Sequence, residues 1–163
     1  MKLKTFLLAG IATAVSSAAI AQCSAPTAEE QFYFIQEAQV PYLMVYGTIT
    51  PDENAVGEHA VDQDGNAVGQ TFAANFHGKK FDGVDFGTTV DIDMMVSENC
   101  LGGSCGVLDA TREGVFILRD LGGAYHFSLD NCGFFGEYEP TSAQLDTYKY
   151  CGRYGCEVVA AAN

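Results

Sequence analysis

The clearest alternation of apolar and polar positions lies at Thr88–Val96 (TTVDIDMMV), where Val90, Ile92 and Met94 are set against Asp91 and Asp93. A period of two predicts a half-buried strand whose outer face carries carboxylates. Gln70 to His77 alternates in part, with Phe72 and Phe76 as core candidates and Ala74 between them. Tyr42–Thr50 (YLMVYGTIT) is rich in β-formers, and Gly47 in its middle predicts a bulge or coil in a strongly curved strand. Farther on, the apolar runs Val115–Arg119 and Tyr125–Leu129 are joined by Leu121-Gly122-Gly123, which predicts a β-hairpin. Gly78 and Gly83 bracket Lys79-Lys80 and predict a turn there.

Two segments carry helical signals. Thr27-Ala28-Glu29-Glu30 has the form of a capping box and predicts a helix over Ala28–Glu37, with Phe32 and Ile35 on one face and Pro41 beyond its end. Pro140-Thr141-Ser142 opens a second helix, capped by Thr141 or Ser142. Leu145, Tyr148 and Cys151 fall on one face of it, and Gly152 and Gly155 are its stop signals before Cys156. Pro51 to Gly69 is acidic and poor in large apolar residues, and reads as a long insertion or hairpin arm. Asp62-Gln63-Asp64-Gly65-Asn66 within it resembles part of a calcium loop but lacks the third ligand in register and the distant glutamate. An Asp-Gly turn between Val61 and Val68 accounts for it without metal. The elements together predict a mainly β domain: a small five-stranded Greek-key barrel of OB type, with a short N-terminal helix and a C-terminal helix plugging one end.

Residues 1–21 read as a signal peptide: Lys2 and Lys4 form the basic start, Thr5 to Ala18 the apolar core, and Ala19-Ile20-Ala21 the cleavage site. Residues 22–163 are then a single domain of 142 residues, exported to the periplasm or secreted. Gln22 stands where a lipoprotein signal wants a small residue, so no membrane anchor is expected. The mature chain holds six basic and 21 acidic residues, a net charge of −15. Such a surface repels phosphate backbones, so nucleic acid is not an expected partner, and it favours cationic partners or divalent metal. Cys23, Cys100, Cys105, Cys132, Cys151 and Cys156 all survive cleavage. In an exported protein an even number reads as three disulfides, with 15 possible connectivities.

The chemistry is mostly negative. The sequence has no C-x-x-C, no zinc-type histidine spacing near either C-x4-C pair, and no nucleophile elbow, zincin, phosphate-loop or dinucleotide signature. No catalytic residue, metal ligand or cofactor is assigned. Asp91 and Asp93 read as a solvated strand face, and His59, His77 and His126 are dispersed, with His126 a satisfied structural residue inside an apolar strand. The expected function is that of a non-enzymatic binding module for an unidentified protein or small ligand. The alternatives are a protease-inhibitor-like protein and a metal-dependent hydrolase in which Asp91 and Asp93 converge with a histidine.

Several short motifs, taken in order, resemble the netrin-like domain of the tissue inhibitors of metalloproteinases. They are Cys23-Ser24-Ala25-Pro26, the strand from Tyr42 after a short helix, Cys105-Gly106 before Gly114-Val115-Phe116-Ile117-Leu118, the run Tyr125 to Cys132, and the Ser142–Gln144 helix start. The chain also resembles small exported bacterial proteins with a cysteine-flanked glycine loop and a C-terminal cysteine-bearing helix. The inhibitor resemblance implies an OB-fold and a Cys23–Cys105 disulfide. In that family the first cysteine chelates the protease zinc through its amino group and carbonyl. Here Ala25 replaces the second cysteine and Gln22 precedes Cys23, so the chemistry that inhibition needs is missing. Cys132 and Cys151 paired with one another, or either paired with Cys156, would hold the second helix to the barrel.

Overall fold

The computed structural model describes residues 24–53, 60–101 and 104–156. Residues 1–21, expected to be a signal peptide, Cys23 and His59 lie outside the described residues. Helix α1 (Ala28–Glu37) is followed by β1 (Tyr42–Pro51), β2 (Thr71–Phe81), β3 (Phe86–Glu98), the two-residue strands β4 (Cys100–Leu101) and β5 (Ser104–Cys105), β6 (Gly114–Asp120), β7 (Tyr125–Leu129), β8 (Gly136–Tyr138) and α2 (Ser142–Tyr154). The barrel strands run β1-β2-β3-β7-β6, and β6 returns to pair with β1. The β3–β7 pair is parallel and the others are antiparallel. This is a closed five-stranded barrel of OB type with a helix on each side of it in sequence.

Closure depends on β1. Its first half, Tyr42–Gly47, pairs with β6, and its second, Val45–Pro51, pairs with β2. Gly47 sits in the overlap, opposite Gly78 on one side and Gly114 on the other. A Cβ on Gly47 would lie 2.2 Å from the His77 carbonyl oxygen, and one on Gly78 would lie 2.3 Å from that of Tyr46. The register runs through without a break, so Gly47 makes a coil and not a bulge.

Alternation places the core as expected. Phe72, Ala74 and Phe76 of β2 and Ile92, Met94 and Val96 of β3 turn inward, where they meet Val45, Ile49, Phe116, Leu118, Phe127 and Leu129. Phe116 stands edge-on to both Phe76 and Phe127, with centroids 6.3 and 5.4 Å apart, a favoured arrangement of ring quadrupoles. A second cluster joins the barrel to the helices, where Met44 of β1, Val115 of β6 and Phe86 of β3 meet Ala28 and Phe32 of α1 and Tyr148 and Cys151 of α2. The two helices thus pack on the barrel through one shared apolar cluster. Capping boxes start both: Thr27 with Glu30, and Thr141 with Gln144. The helices are joined through a buried polar link. The Tyr148 hydroxyl donates to Gln31 Oε1, and Gln31 Nε2 donates to the Phe134 carbonyl at 2.8 Å. Among the described residues no helix is long and apolar enough to cross a membrane.

Four expectations need correction. Lys79 and Lys80 lie within β2, because Gly78 is the crossing partner of Gly47 and not a strand end. The turn falls at Asp82–Asp85, where Asp82 Oδ1 accepts from the amides of Val84 and Asp85. Gly152 lies inside α2, packed on the Gly83 carbonyl, and only Gly155, at φ 78°, ends the helix. Cys105 is bonded to Cys100 and not to Cys23. The two sit directly opposite in the β4–β5 ribbon, with Cα atoms 3.9 Å apart, so the nearest thiol is the local one. Finally, of the pairings left open for the last cysteines, Cys151–Cys156 occurs, and it ties α2 to its own end instead of to the barrel. The Asp-Gly turn reading holds: Asp62 Oδ1 accepts from the amides of Asp64 and Asn66, and Val61 bridges Ala67.

Two outcomes check this architecture. Gly47→Ala should cost about 3 kcal/mol, the upper part of the overpacking range, because the clash is with backbone that cannot rotate away. It should appear as a lower denaturant midpoint with an unchanged slope. Non-reducing peptide mapping should return Cys100–Cys105 and Cys151–Cys156 as local cystines. Cys132 is also disulfide-bonded, and Cys23 is the remaining cysteine of the sequence. A Cys23–Cys105 peptide would contradict the assignment.

Candidate functional site

Strand alternation turns Thr71, Ala73, Asn75, His77 and Lys79 of β2 outward. The register sets them opposite Ser97, Met95, Asp93, Asp91 and Thr89 of β3. The result is a ladder of cross-strand pairs, polar except for Ala73–Met95. Thr71 Oγ1 lies 2.9 Å from Ser97 Oγ, Asn75 Nδ2 donates to Asp93 Oδ1 at 3.2 Å, and His77 Nδ1 lies 2.9 Å from Asp91 Oδ2. The carboxylate-bearing outer face read from Thr88–Val96 is therefore present. What the sequence did not reveal is that each aspartate has a cross-strand partner.

The His77 hydrogen bond, and after it that of Asn75, holds the Asp91 carboxyl below the usual carboxylate range. His77 and Asp91 are about two-thirds exposed, so water screens the pair and its worth is small. It is the place where a described histidine meets a carboxylate. Among the described residues no three His, Cys, Asp or Glu side chains converge as a metal-holding group.

His126 of β7 points outward beside this ladder. Its Nε2 lies 2.8 Å from Ser97 Oγ, so Thr71, Ser97 and His126 form a chain of polar contacts across β2, β3 and β7. Burial first, and the Arg119 charge second, push the His126 imidazole below its ordinary range, so it is neutral at pH 7. A neutral imidazole beside a hydroxyl has the spacing of a base and a nucleophile. Such a pair also needs a group that orients the base and donors for the developing oxyanion. Among the described residues no carboxylate bonds to His126, and the contact serves to tie the parallel β3–β7 pair.

A groove of about 690 Å³ opens where β1 ends and β7 begins, over the register row Pro51–Ala74–Met94–Tyr125. Small and flexible apolar side chains, Ala73, Ala74, Met94 and Met95, make its floor. Asn75 and Asp93 stand on one side, Asp52 at the β1 end, and Tyr125 beside the tight turn that carries Ala124. That turn is set by Asp120, whose Oδ1 accepts from the amides of Gly122 and Gly123, both at positive φ. No Lys or Arg lines the groove. An apolar floor with few, placed polar groups is the usual character of a small-ligand site. Sequence reasoning found Asp93 but not Asn75, Met95 or Tyr125, because only the register brings them to one place. No protein-family model, curated protein or solved structure matches the chain.

One titration checks the electrostatics. The Asp91 carboxyl, followed by carbon-detected NMR, should titrate below an ordinary aspartate, and His77→Ala should move it back up. Because the folded-state value is depressed, the stabilisation is present above the unfolded carboxylate range and is lost as pH falls through the folded value.

Proposed function

We propose that the protein is an exported, non-enzymatic binding module whose ligand lies in the groove at the ends of β1 and β7, against the β2–β3 face. The observation that carries the reading is the combination of an apolar floor with the Asn75–Asp93 pair and an absence of basic lining residues. Carboxylate and amide oxygens accept hydrogen bonds, so the groove suits a neutral ligand rich in hydroxyl donors, such as a short oligosaccharide, and disfavours anions. The fold supports the location, since OB barrels present this face and its flanking loops to chain-like ligands. The chemistry rests on the residues and not on the fold. Disulfides and the leader-like first residues support export.

Amide NMR shifts recorded while neutral oligosaccharides are titrated test the proposal. Perturbations should centre on Ala73–Asn75, Asp93–Met95 and Ala124–Tyr125. Asp93→Ala should weaken binding about tenfold or more, the cost of a hydrogen bond to a charged group. Shifts confined to another face, or an unchanged affinity in Asp93→Ala, would refute the site.

A further inference from the structure

The two helices leave a second, larger groove on the opposite side of their contact with the barrel. It encloses about 1080 Å³ and runs from Glu29 and Gln36 of α1 to the end of α2. Helical spacing builds it, since Ala143, Thr147, Tyr150 and Tyr154 recur at intervals of four, three and four and share one face. Ala143 and Thr147 keep the near end shallow. Tyr150 and Tyr154 stand at the far end, 59% and 73% exposed, with ring centroids 5.0 Å apart. Tyrosines so exposed gain little from folding, and aromatic residues with one polar end are what recognition surfaces enrich. The Cys151–Cys156 ring encloses Tyr154 and fixes the helix end that carries it.

Charge identifies what such a surface takes. The charged residues lining the groove are Glu29 and Asp146, both acidic. No base lines the groove: Lys149 Nζ lies closer to Asp85 Oδ1, at 3.3 Å, than to Asp146 Oδ1, at 4.0 Å, so it offsets Asp146 only in part, and Arg153 adds to the positive field on Asp85. The groove therefore offers two π-faces and two carboxylates to a cation. From this arrangement we infer that the α1–α2 groove docks a basic polypeptide segment, an arginine or lysine stem lying over Tyr150 and Tyr154 with its charged head toward Asp146 and Glu29. The inference does not rest on the barrel-face reading, and the net charge of the chain would steer such a partner toward it.

The test uses a fluorescein-labelled decapeptide of alternating arginine and serine, with fluorescence anisotropy read at 0.15 M salt. Saturable one-to-one binding is expected. The double variant Tyr150→Ala/Tyr154→Ala leaves the charge of the protein unchanged and should weaken binding roughly five- to twentyfold, two exposed cation–π contacts together. Asp146→Asn should weaken it about threefold and gives a reading should the double variant fail to fold. Asn75→Ala, on the barrel face, should bind as wild type. Equal affinity of the wild-type protein and both groove variants, or non-saturable binding, would mean general attraction to an acidic chain and would overturn the proposal. So would loss of binding in Asn75→Ala.

Discussion

The structure hangs on the place where one strand serves two neighbours. A five-stranded sheet closes into a barrel only if one strand coils enough to pair with β6 along its first half and β2 along its second, and β1 does this about Gly47. The backbone carbonyls of Tyr46 and His77 come so close to the facing glycines that no side chain fits between them. Gly114 completes the crossing on the β6 side. The inward row of phenylalanines follows from that closure. So does the outward ladder, because a slip of one residue at the crossing would exchange the two faces of every strand paired through it.

The helices depend on the barrel differently. Each is short, and a helix of 10 or 13 residues is marginal alone. Apolar contact with Met44, Phe86 and Val115 supplies the attraction, and the Gln31–Tyr148 link fixes how the two lie. Gln31 is 1% exposed, and its amide satisfies the Phe134 carbonyl while its oxygen takes the tyrosine hydroxyl. Such a group is costly if any partner is lost, so the link specifies the packing more than it strengthens it. Burial, helped by the nearby Glu137 carboxylate, pushes the Tyr148 hydroxyl far above the ordinary phenol range, so it remains a donor at any ordinary pH.

Periodicity made the barrel legible. Val90, Ile92 and Met94 against Asp91 and Asp93 gave the right faces of β3, Thr27 marked the first helix start, and of the two caps read for the second, Thr141 is the one used. The failures share one cause. Gly78 and Gly152 look like stop signals, yet each is a glycine because another backbone passes close to it, a fact carried by distant residues. Cys100 and Cys105 look like loop cysteines available for long-range bonds, but a two-residue ribbon sets them opposite one another. The candidate site was half legible for the same reason: alternation exposes Asp93, while its pairing with Asn75 and its nearness to Tyr125 belong to register and to the parallel β3–β7 contact.

The acidic balance of the chain acquires a meaning only when it is distributed. Four of the aspartates, Asp62, Asp82, Asp109 and Asp120, are engaged by amides of their own turns, where they act as local hydrogen-bond acceptors. Asp85 meets Lys149, and Asp91 meets His77. Asp93 at the barrel groove, bonded by Asn75, and Glu29 and Asp146 at the helical groove, the latter 4.0 Å from Lys149, also line open surface large enough for a ligand. These two grooves differ in what surrounds the carboxylates. The barrel groove sets one beside an amide and an aliphatic floor, suited to counting hydroxyl donors. The helical groove sets two beside exposed rings, suited to a cation whose hydration is partly stripped. The proposed recognition thus rests on which carboxylates line open grooves, and not on the sum of the charge.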